Sequence, residues 1–451
     1  EEYIAQLYRT LLGREPDDAG LVAHVGALRR GGDPTEILRA FLGSEEYQNR
    51  NVGMRLAASL PAVPAAAAGA AVVPDDALSF ILEASRRHFS DPAFLKQLAR
   101  RDDLFPVRPR PVRTIALYYW RMNNGGTERV TARQALMWSK LGYKVILLTD
   151  QERQEGDDYD YGEVTRYVIP ERMMHNHDYV RRGRALADIL QLENVDLFVT
   201  NQWYEISSVW DVLTAKSLGI PAILGWHNVF DAGIHGADDL GLAYLRYLGH
   251  NHADLIAVLS SVDQLWFDSW KTPALMVHNP LTFDVLPEQA TLDGHTILWL
   301  ARAERHQKRI DHVLRMFPLV LAQVPDARLL IVGGGPDLEW AREYAHALGV
   351  GSRIHFAGYT TEVDKFIDRA SVHVMTSEFE GYPMVLGEVW SHGVPTVMYD
   401  LPHLEYLRSG RGHIVVEQKN VEQLAAAVTR VLKDAPLRRT LGQQARTVVQ
   451  E

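Results

Sequence analysis

From residue 113 onward, short continuous apolar runs alternate with longer stretches of helical spacing. The runs at 115–120, 145–148, 195–200, 222–226, 255–259 and 275–278 are too short for helices and too uniformly apolar for a half-exposed sheet. They predict parallel strands buried on both faces. A second series follows at 297–300, 329–332, 354–357, 372–375, 396–399 and 414–416. Two such series in succession predict an α/β protein with two doubly wound Rossmann-like domains, at 113–285 and 286–451, with the boundary falling within 280–292. In sheets of this kind ligands bind beyond the carboxyl ends of the strands, so the chemistry is expected in the loops after the strands.

The first part of the chain is patterned differently. Tyr3, Ile4, Leu7, Tyr8, Leu11 and Leu12 recur at helical spacing. Asp33-Pro34-Thr35-Glu36 has the form of a capping box with proline at the first helical position, opening a helix that carries Ile37, Leu38, Phe41 and Leu42. Residues 1–52 are therefore expected to be a small all-α module, and 53–112 an Ala/Pro linker (57–74) followed by a helix. The run 107–113, with Pro109 and Pro111, is expected to be extended.

Composition narrows the classes. The 451 residues are 47% hydrophobic and 23% charged, enough for several cores, and the net charge of -10 excludes a broadly basic nucleic-acid face. The chain has no cysteine, so no disulfide framework, thiolate metal site or cysteine nucleophile is available, in keeping with a cytoplasmic protein. Its most apolar stretch, 57–73, is interrupted by Pro61 and Pro64 and reads neither as a membrane span nor as a signal peptide.

Three segments carry candidate chemistry. Gly125 and Gly126 follow the first apolar run and open a helix, where backbone N–H groups can approach an anion. Gly333-Gly334-Gly335-Pro336 sits at a similar turn, and such turns serve structure as readily as ligands. After 297–300 come Arg302 and Lys308, a fork and a point charge suited to a diphosphate, with Arg305 between them as an alternative. After 372–375 comes Glu380-Gly381-Tyr382-Pro383-Met384-Val385, then Glu388, with seven residues between the two glutamates. The first carboxylate is expected at the strand end and the second on a helix, where it can accept two ribose hydroxyls.

Taken together, residues 114–451 resemble the retaining glycosyltransferases of the two-domain GT-B type, in particular glycosyltransferase family 4. The most specific parts are Glu380 to Glu388, Arg302 with Lys308, Gly125-Gly126 and His227 in Gly225-Trp226-His227-Asn228. The resemblance implies two domains facing a cleft, the first holding a glycan acceptor and the second a nucleotide-diphosphate sugar. It implies that Glu380 binds the transferred sugar, Glu388 the ribose, and Arg302 and Lys308 the pyrophosphate, with His227 near the sugar and no metal required. Residues 1–52, with Leu12-Gly13-Arg14-Glu15-Pro16 and Gly43-Ser44-Glu45-Glu46-Tyr47, resemble the domain of unknown function 4214, which suits either an interaction module or a helical spacer.

The expected reaction is retaining hexosyl transfer from a UDP-sugar, or a GDP-sugar, in bacterial surface polysaccharide or glycoconjugate synthesis. A sugar-nucleotide epimerase and a catalytically idle glycan-binding subunit are the alternatives. An NAD-dependent oxidoreductase fits worst, because no Gly-x-Gly-x-x-Gly follows either leading strand. Arg181, Arg182 and Arg184 read as a solvated helix face that can also meet anionic lipid, and the helical module can dock on a protein or the inner membrane face. His175, His177, His250 and His252 have no partners at metal-ligand spacing and read as surface or core residues.

Overall fold

A computed structural model describes residues 2–8, 15–30, 34–44, 46, 77–87, 98, 101, 104–105, 110–123, 125–153, 159–170, 179–202, 206–227, 252–269, 273–283, 285–401, 404, 407 and 410–451. Asp33 of the expected capping box, the 57–74 linker, and His175, His177 and His250 lie outside the described residues. The chain divides into two compact units, Tyr3–Pro280 and Leu281–Glu451.

In the first unit the described helices are α1 (Glu2–Leu7), α2 (Asp18–Arg29), α3 (Pro34–Gly43), α4 (Ala77–Arg87), α5 (Gly126–Lys140), α6 (Tyr179–Leu192), α7 (Ile206–Ser217) and α8 (Ser261–Ser269). Its strands are β1 (Thr114–Tyr118), β2 (Lys144–Thr149), β3 (Thr165–Val168), β4 (Leu197–Thr200), β5 (Ala222–Gly225), β6 (Leu255–Val258) and β7 (Ala274–Met276). They form one parallel sheet in the order β3-β2-β1-β4-β5-β6-β7. Alternate residues of β1 feed opposite layers: Ala116 and Tyr118 pack with Leu186 and Leu190 of α6, while Ile115 and Leu117 pack with Ala132 and Ala135 of α5. The sequence pattern anticipates every strand but β3, an edge strand whose Thr-Arg-Tyr-Val is largely exposed and carries no apolar run.

The N-terminal helices share a core with this sheet. Ile4, Leu7, Tyr8, Ile37, Leu38 and Phe41 belong to the same apolar cluster as Trp210 of α7, Trp226 after β5, and Trp266 and Phe267 of α8. Helix α3 packs on α8, and α4 packs on both α6 and α7. Burying large aromatic side chains from both parts joins them thermodynamically, since each contributes on the order of 2–3 kcal/mol by leaving water.

One expectation fails here. Arg182 is not on a solvated or lipid-facing surface: its guanidinium is buried, 2.7 Å from Asp150 and 2.7 Å from Asp211. Tyr118 and Tyr179 donate to those same carboxylates. Arg181 and Arg184 are exposed. Helical periodicity puts Arg182 on the inner stripe with Tyr179 and Leu186, and two buried aspartates make that position tolerable for a cation.

The second unit has β8 (Thr296–Leu300), α9 (Ile310–Leu321), β9 (Arg328–Val332), α10 (Leu338–Ala347), β10 (Ile354–Gly358), α11 (Asp364–Ile367), β11 (Val372–Met375), α12 (Met384–Ser391), β12 (Thr396–Tyr399), β13 (His413–Val416), α13 (Val421–Lys433) and α14 (Ala435–Gln450). The parallel order is β10-β9-β8-β11-β12-β13. Ile297 and Trp299 pack with α9 and α13 on one face, and Leu298 with Trp390 and Ala445 on the other. Strand order reverses direction between β8 and β11 here, and between β1 and β4 in the first unit, which marks the switch points where crevices open. Among the described residues no helix is long and apolar enough to cross a membrane.

Candidate active site

At the switch point of the second unit, the loop after β8 (301–309) and the loop after β11 (376–383) lie side by side. Glu378 N donates to Gln307 O (2.9 Å), and Gln307 Nε2 donates to Phe379 O (2.9 Å). These bonds register the loops so that Lys308 Nζ meets Glu380 Oε1 at 2.5 Å. Glu380 is only 7% exposed, so its charge has little water to screen it and the ammonium is its compensation. Glu304 stabilises the first loop from within, accepting from the backbone N–H groups of Gln307 (3.1 Å) and Lys308 (3.3 Å).

The two arginines of the loop are placed differently. Arg302 reaches Glu304 at 2.9 Å, and its side chain is 61% exposed. Arg305 is held by Asp337, 3.1 Å from its Nε, and its guanidinium lies 4.4 Å from the centroid of the Trp340 ring. Asp337 also accepts from Arg305 N at 2.8 Å. Of the two, Arg302 is the more exposed, while Arg305 ties the 301–309 loop to the start of α10.

The glycine turn after β9 has a structural reason. A Cβ on Gly333, whose φ is +133°, would stand 1.9 Å from Ala301 O, and one on Gly335 would stand 2.3 Å from Ala303 O. Ala303 N donates to Gly334 O (2.8 Å) and Asp337 N to Ala303 O (3.0 Å), so only glycine lets this turn buttress the Arg302 loop.

Gly381 and Pro383 are buried and Tyr382 half-buried; Pro383 stands immediately before α12, and Met384 and Val385 form its first turn. Burial raises the Tyr382 hydroxyl above its ordinary range. Glu388 lies within α12 and is half-buried. The glutamate motif thus straddles a loop and a helix start, as its spacing predicts.

In the first unit, Gly125 precedes α5 and Gly126 begins it. A Cβ on Gly125 would lie 2.0 Å from the Glu128 carboxylate, whereas Gly126 faces open space. Burial raises the Glu128 carboxyl, and Arg121 at 3.1 Å opposes that effect. The carboxylate beside this helix start is therefore the chain's own.

His227 follows β5, with Nε2 3.0 Å from Asn201 Oδ1. The Thr131 hydroxyl donates to Thr127 O (2.8 Å), so its oxygen must accept from Asn201 Nδ2 at 2.8 Å. Asn201 Oδ1 is then the atom facing His227, and the ring proton belongs on Nε2. Burial lowers the His227 pKa to about 4, slightly offset by Asn279, which keeps the imidazole neutral at ordinary pH. A Cβ on Gly225 would come within 2.5 Å of Asn201 Oδ1, so the small residue preserves this pair.

Sequence reasoning did not single out Glu304, Gln307, Glu378, Thr376, Asn201 or Thr131. Their roles come from contacts between loops, and the signal available was only proximity to Lys308, Glu380 or a strand end. His252 is half-buried against Phe105, ring centroids 4.4 Å apart.

Comparison with known proteins agrees with this division. Residues 287–448 match the family described as glycosyl transferases group 1, and residues 124–278 match Glycosyltransferase Family 4. Residues 1–51 match the domain of unknown function 4214. An uncharacterized glycosyltransferase of Haemophilus influenzae is 24% identical over 320 residues, 69% of this chain and 88% of that protein. A poly(glycerol-phosphate) alpha-glucosyltransferase of Bacillus subtilis is 30% identical over 140 residues, 31% of this chain but 21% of its own length. Among solved structures, an Anabaena protein in complex with UDP and glucose superposes with a TM-score of 0.61 at 14% identity, covering 75% of this chain and 95% of that one. A Staphylococcus aureus protein in complex with fondaparinux, alpha-GlcNAc-glycerol and UDP gives 0.61 at 12%, covering 75% and 96%. The fold is that of GT-B proteins, two Rossmann-like domains, and the family matches support a glycosyltransferase of this type.

Proposed function

We propose that this GT-B glycosyltransferase moves a hexose from a nucleotide-diphosphate sugar, a UDP-sugar first and a GDP-sugar second, onto a glycan acceptor with retention of configuration. The observation that carries the reading is the Lys308–Glu380 pair at the switch point of the second unit, with Arg302 on the same loop and Glu388 on the adjoining helix. A cation beside a carboxylate at a strand end suits a ligand that is a diphosphate at one end and a polyol at the other. The UDP bound by the Anabaena and Staphylococcus aureus proteins supports the first choice of nucleotide.

In this mechanism the bond between the anomeric carbon and the diphosphate oxygen breaks, and the nucleoside diphosphate leaves with the electron pair. Arg302 and Lys308 stabilise the developing negative charge, a role that preorganised donors fill at about 3 kcal/mol each. The acceptor hydroxyl attacks on the face the phosphate leaves, and its proton passes to the departing phosphate oxygen. Glu380 accepts hydrogen bonds from sugar hydroxyls and Glu388 from the ribose. In the first unit, which is assigned the acceptor, His227 keeps the place near the transferred sugar that the resemblance implies, and Gly125 and Gly126 keep their anion-facing role at the start of α5. Bacterial surface polysaccharide or glycoconjugate synthesis is the proposed setting.

Because a ligand that binds only the folded state raises its stability, one nucleotide sugar in a panel of UDP-, GDP- and ADP-sugars should raise the melting temperature by several degrees at saturation. Glu388→Ala should abolish the shift while melting unaided near the wild-type temperature, and Lys308→Ala should abolish it from a lower starting temperature, because it leaves the Glu380 carboxylate without its cation. Protection surviving in both variants would remove the site from consideration. With the charge on the leaving group met by side chains, turnover is also expected to be unchanged by excess EDTA. Loss of turnover in EDTA, restored by a divalent ion, would refute the metal-free reading.

A further inference from the structure

Beneath the Lys308–Glu380 pair lies a buried polar contact that takes no direct part in the proposed chemistry. Thr376, the first residue after β11, is 1% exposed, as is Trp299 of β8. The Thr376 hydroxyl donates toward two consecutive carbonyls, Lys308 O at 2.7 Å and Arg309 O at 3.2 Å. Trp299 Nε1 donates to the Thr376 hydroxyl oxygen at 3.0 Å. A hydroxyl has one proton and two lone pairs, so this one is held from both sides.

Two successive carbonyls converge on one hydroxyl because the backbone folds back between them. Arg309 has φ +53° in the left-handed region, which a residue with a side chain adopts only when its surroundings impose it. Its guanidinium is bracketed by Glu378 and Asp311, each at 3.2 Å. The fold-back ends the 301–309 loop and begins α9, so it sets the direction in which the Lys308 side chain leaves the backbone.

We propose that Thr376 is a positioning residue for Lys308: its hydroxyl, anchored on Trp299, pins the folded-back peptide and thereby aims the Lys308 ammonium at the β-phosphate of the donor. This rests on the diphosphate-binding reading of Lys308. Valine at 376 has nearly the shape of threonine but takes the hydroxyl away from Lys308 O and from an indole N–H, while Arg309 O keeps the His312 N–H at 3.0 Å, and the peptide at 308–309 is the part free to shift.

The test compares UDP with UMP, or GDP with GMP if the GDP-sugar is the donor, by calorimetric titration. Thr376→Val should weaken the diphosphate about tenfold and the monophosphate, which lacks the β-phosphate, by less than about twofold. Thr376→Ser, which keeps the hydroxyl, should restore diphosphate binding. Trp299→Phe, which keeps an aromatic ring and removes the N–H at the cost of a small void, should show the same selectivity at smaller size, and it carries the test should the valine variant fold poorly. Equal losses of mono- and diphosphate, an undiminished diphosphate affinity, or a serine variant as weak as valine would each overturn the proposal. A wild-type protein that bound neither nucleotide would instead overturn the donor-site reading itself.

Discussion

Glu380→Gln is expected to cut sugar transfer roughly 100-fold, the upper end of what a charge-assisted hydrogen bond contributes, while leaving affinity for the free nucleoside diphosphate equal to or higher than that of the wild type. The two effects separate because Glu380 does two things. Its carboxylate is assigned to the sugar hydroxyls, which glutamine binds less strongly. It also neutralises Lys308 at 2.5 Å, so an incoming diphosphate competes with it for the same ammonium. Glutamine preserves the shape and removes the competing charge, and Lys308 becomes more available to phosphate. Isothermal titration with UDP, read beside kcat/KM for the donor, distinguishes the two roles. A glutamine variant that binds UDP ten times more weakly would show that Glu380 holds the loop in shape rather than competing for Lys308.

The second large effect concerns stability. Arg182→Met should destabilise the first unit by about 3–5 kcal/mol, the usual cost of removing one partner from a buried ionic network. For a unit of this size that corresponds to a fall of roughly 10 °C in its melting transition. Asp150 and Asp211 would be left facing each other's charge in the interior, without the arginine and with Tyr118 and Tyr179 still donating to them. Burial already raises the Asp211 carboxyl against the pull of Arg182. Without the arginine it rises further, so the variant's deficit should shrink as pH falls and Asp211 takes up a proton. Arg182→Met with Asp211→Asn should recover part of the loss, because one of the stranded charges is gone. Calorimetry resolving the two units would show it, and a loss below about 0.5 kcal/mol would mean the network is dispensable.

The contrast between Arg182 and Arg302 shows how far residue type carries. Both are arginines near aspartate or glutamate, and both were read as available to an anion. Arg302 is exposed on the β8 loop, whereas Arg182 is enclosed by two carboxylates contributed by β2's end and α7. Helical periodicity places Arg182 on the apolar stripe of its helix, but what makes a buried cation tolerable there, the arrival of Asp150 and Asp211 from distant parts of the chain, leaves no local pattern.

What the sequence determined by itself is the class of fold and the loops that matter. Continuous apolar runs cannot face water on either side, so strand positions and two helix-flanked parallel sheets follow from local composition, and the glutamate motif and the Arg302–Lys308 pair fall at strand ends by simple counting. Tertiary structure alone decided the order of the strands, which sets β8 beside β11 and brings Lys308 against Glu380 across 72 positions of chain. It also decided that Arg305 is committed to Asp337, that Gly333 is required by Ala301, that Asn201 holds the proton of His227 on Nε2, and that the N-terminal helices share the core of the first sheet. Each of these depends on which groups meet after the chain has closed, and hydrogen bonds between loops leave no periodicity along the sequence from which to read them.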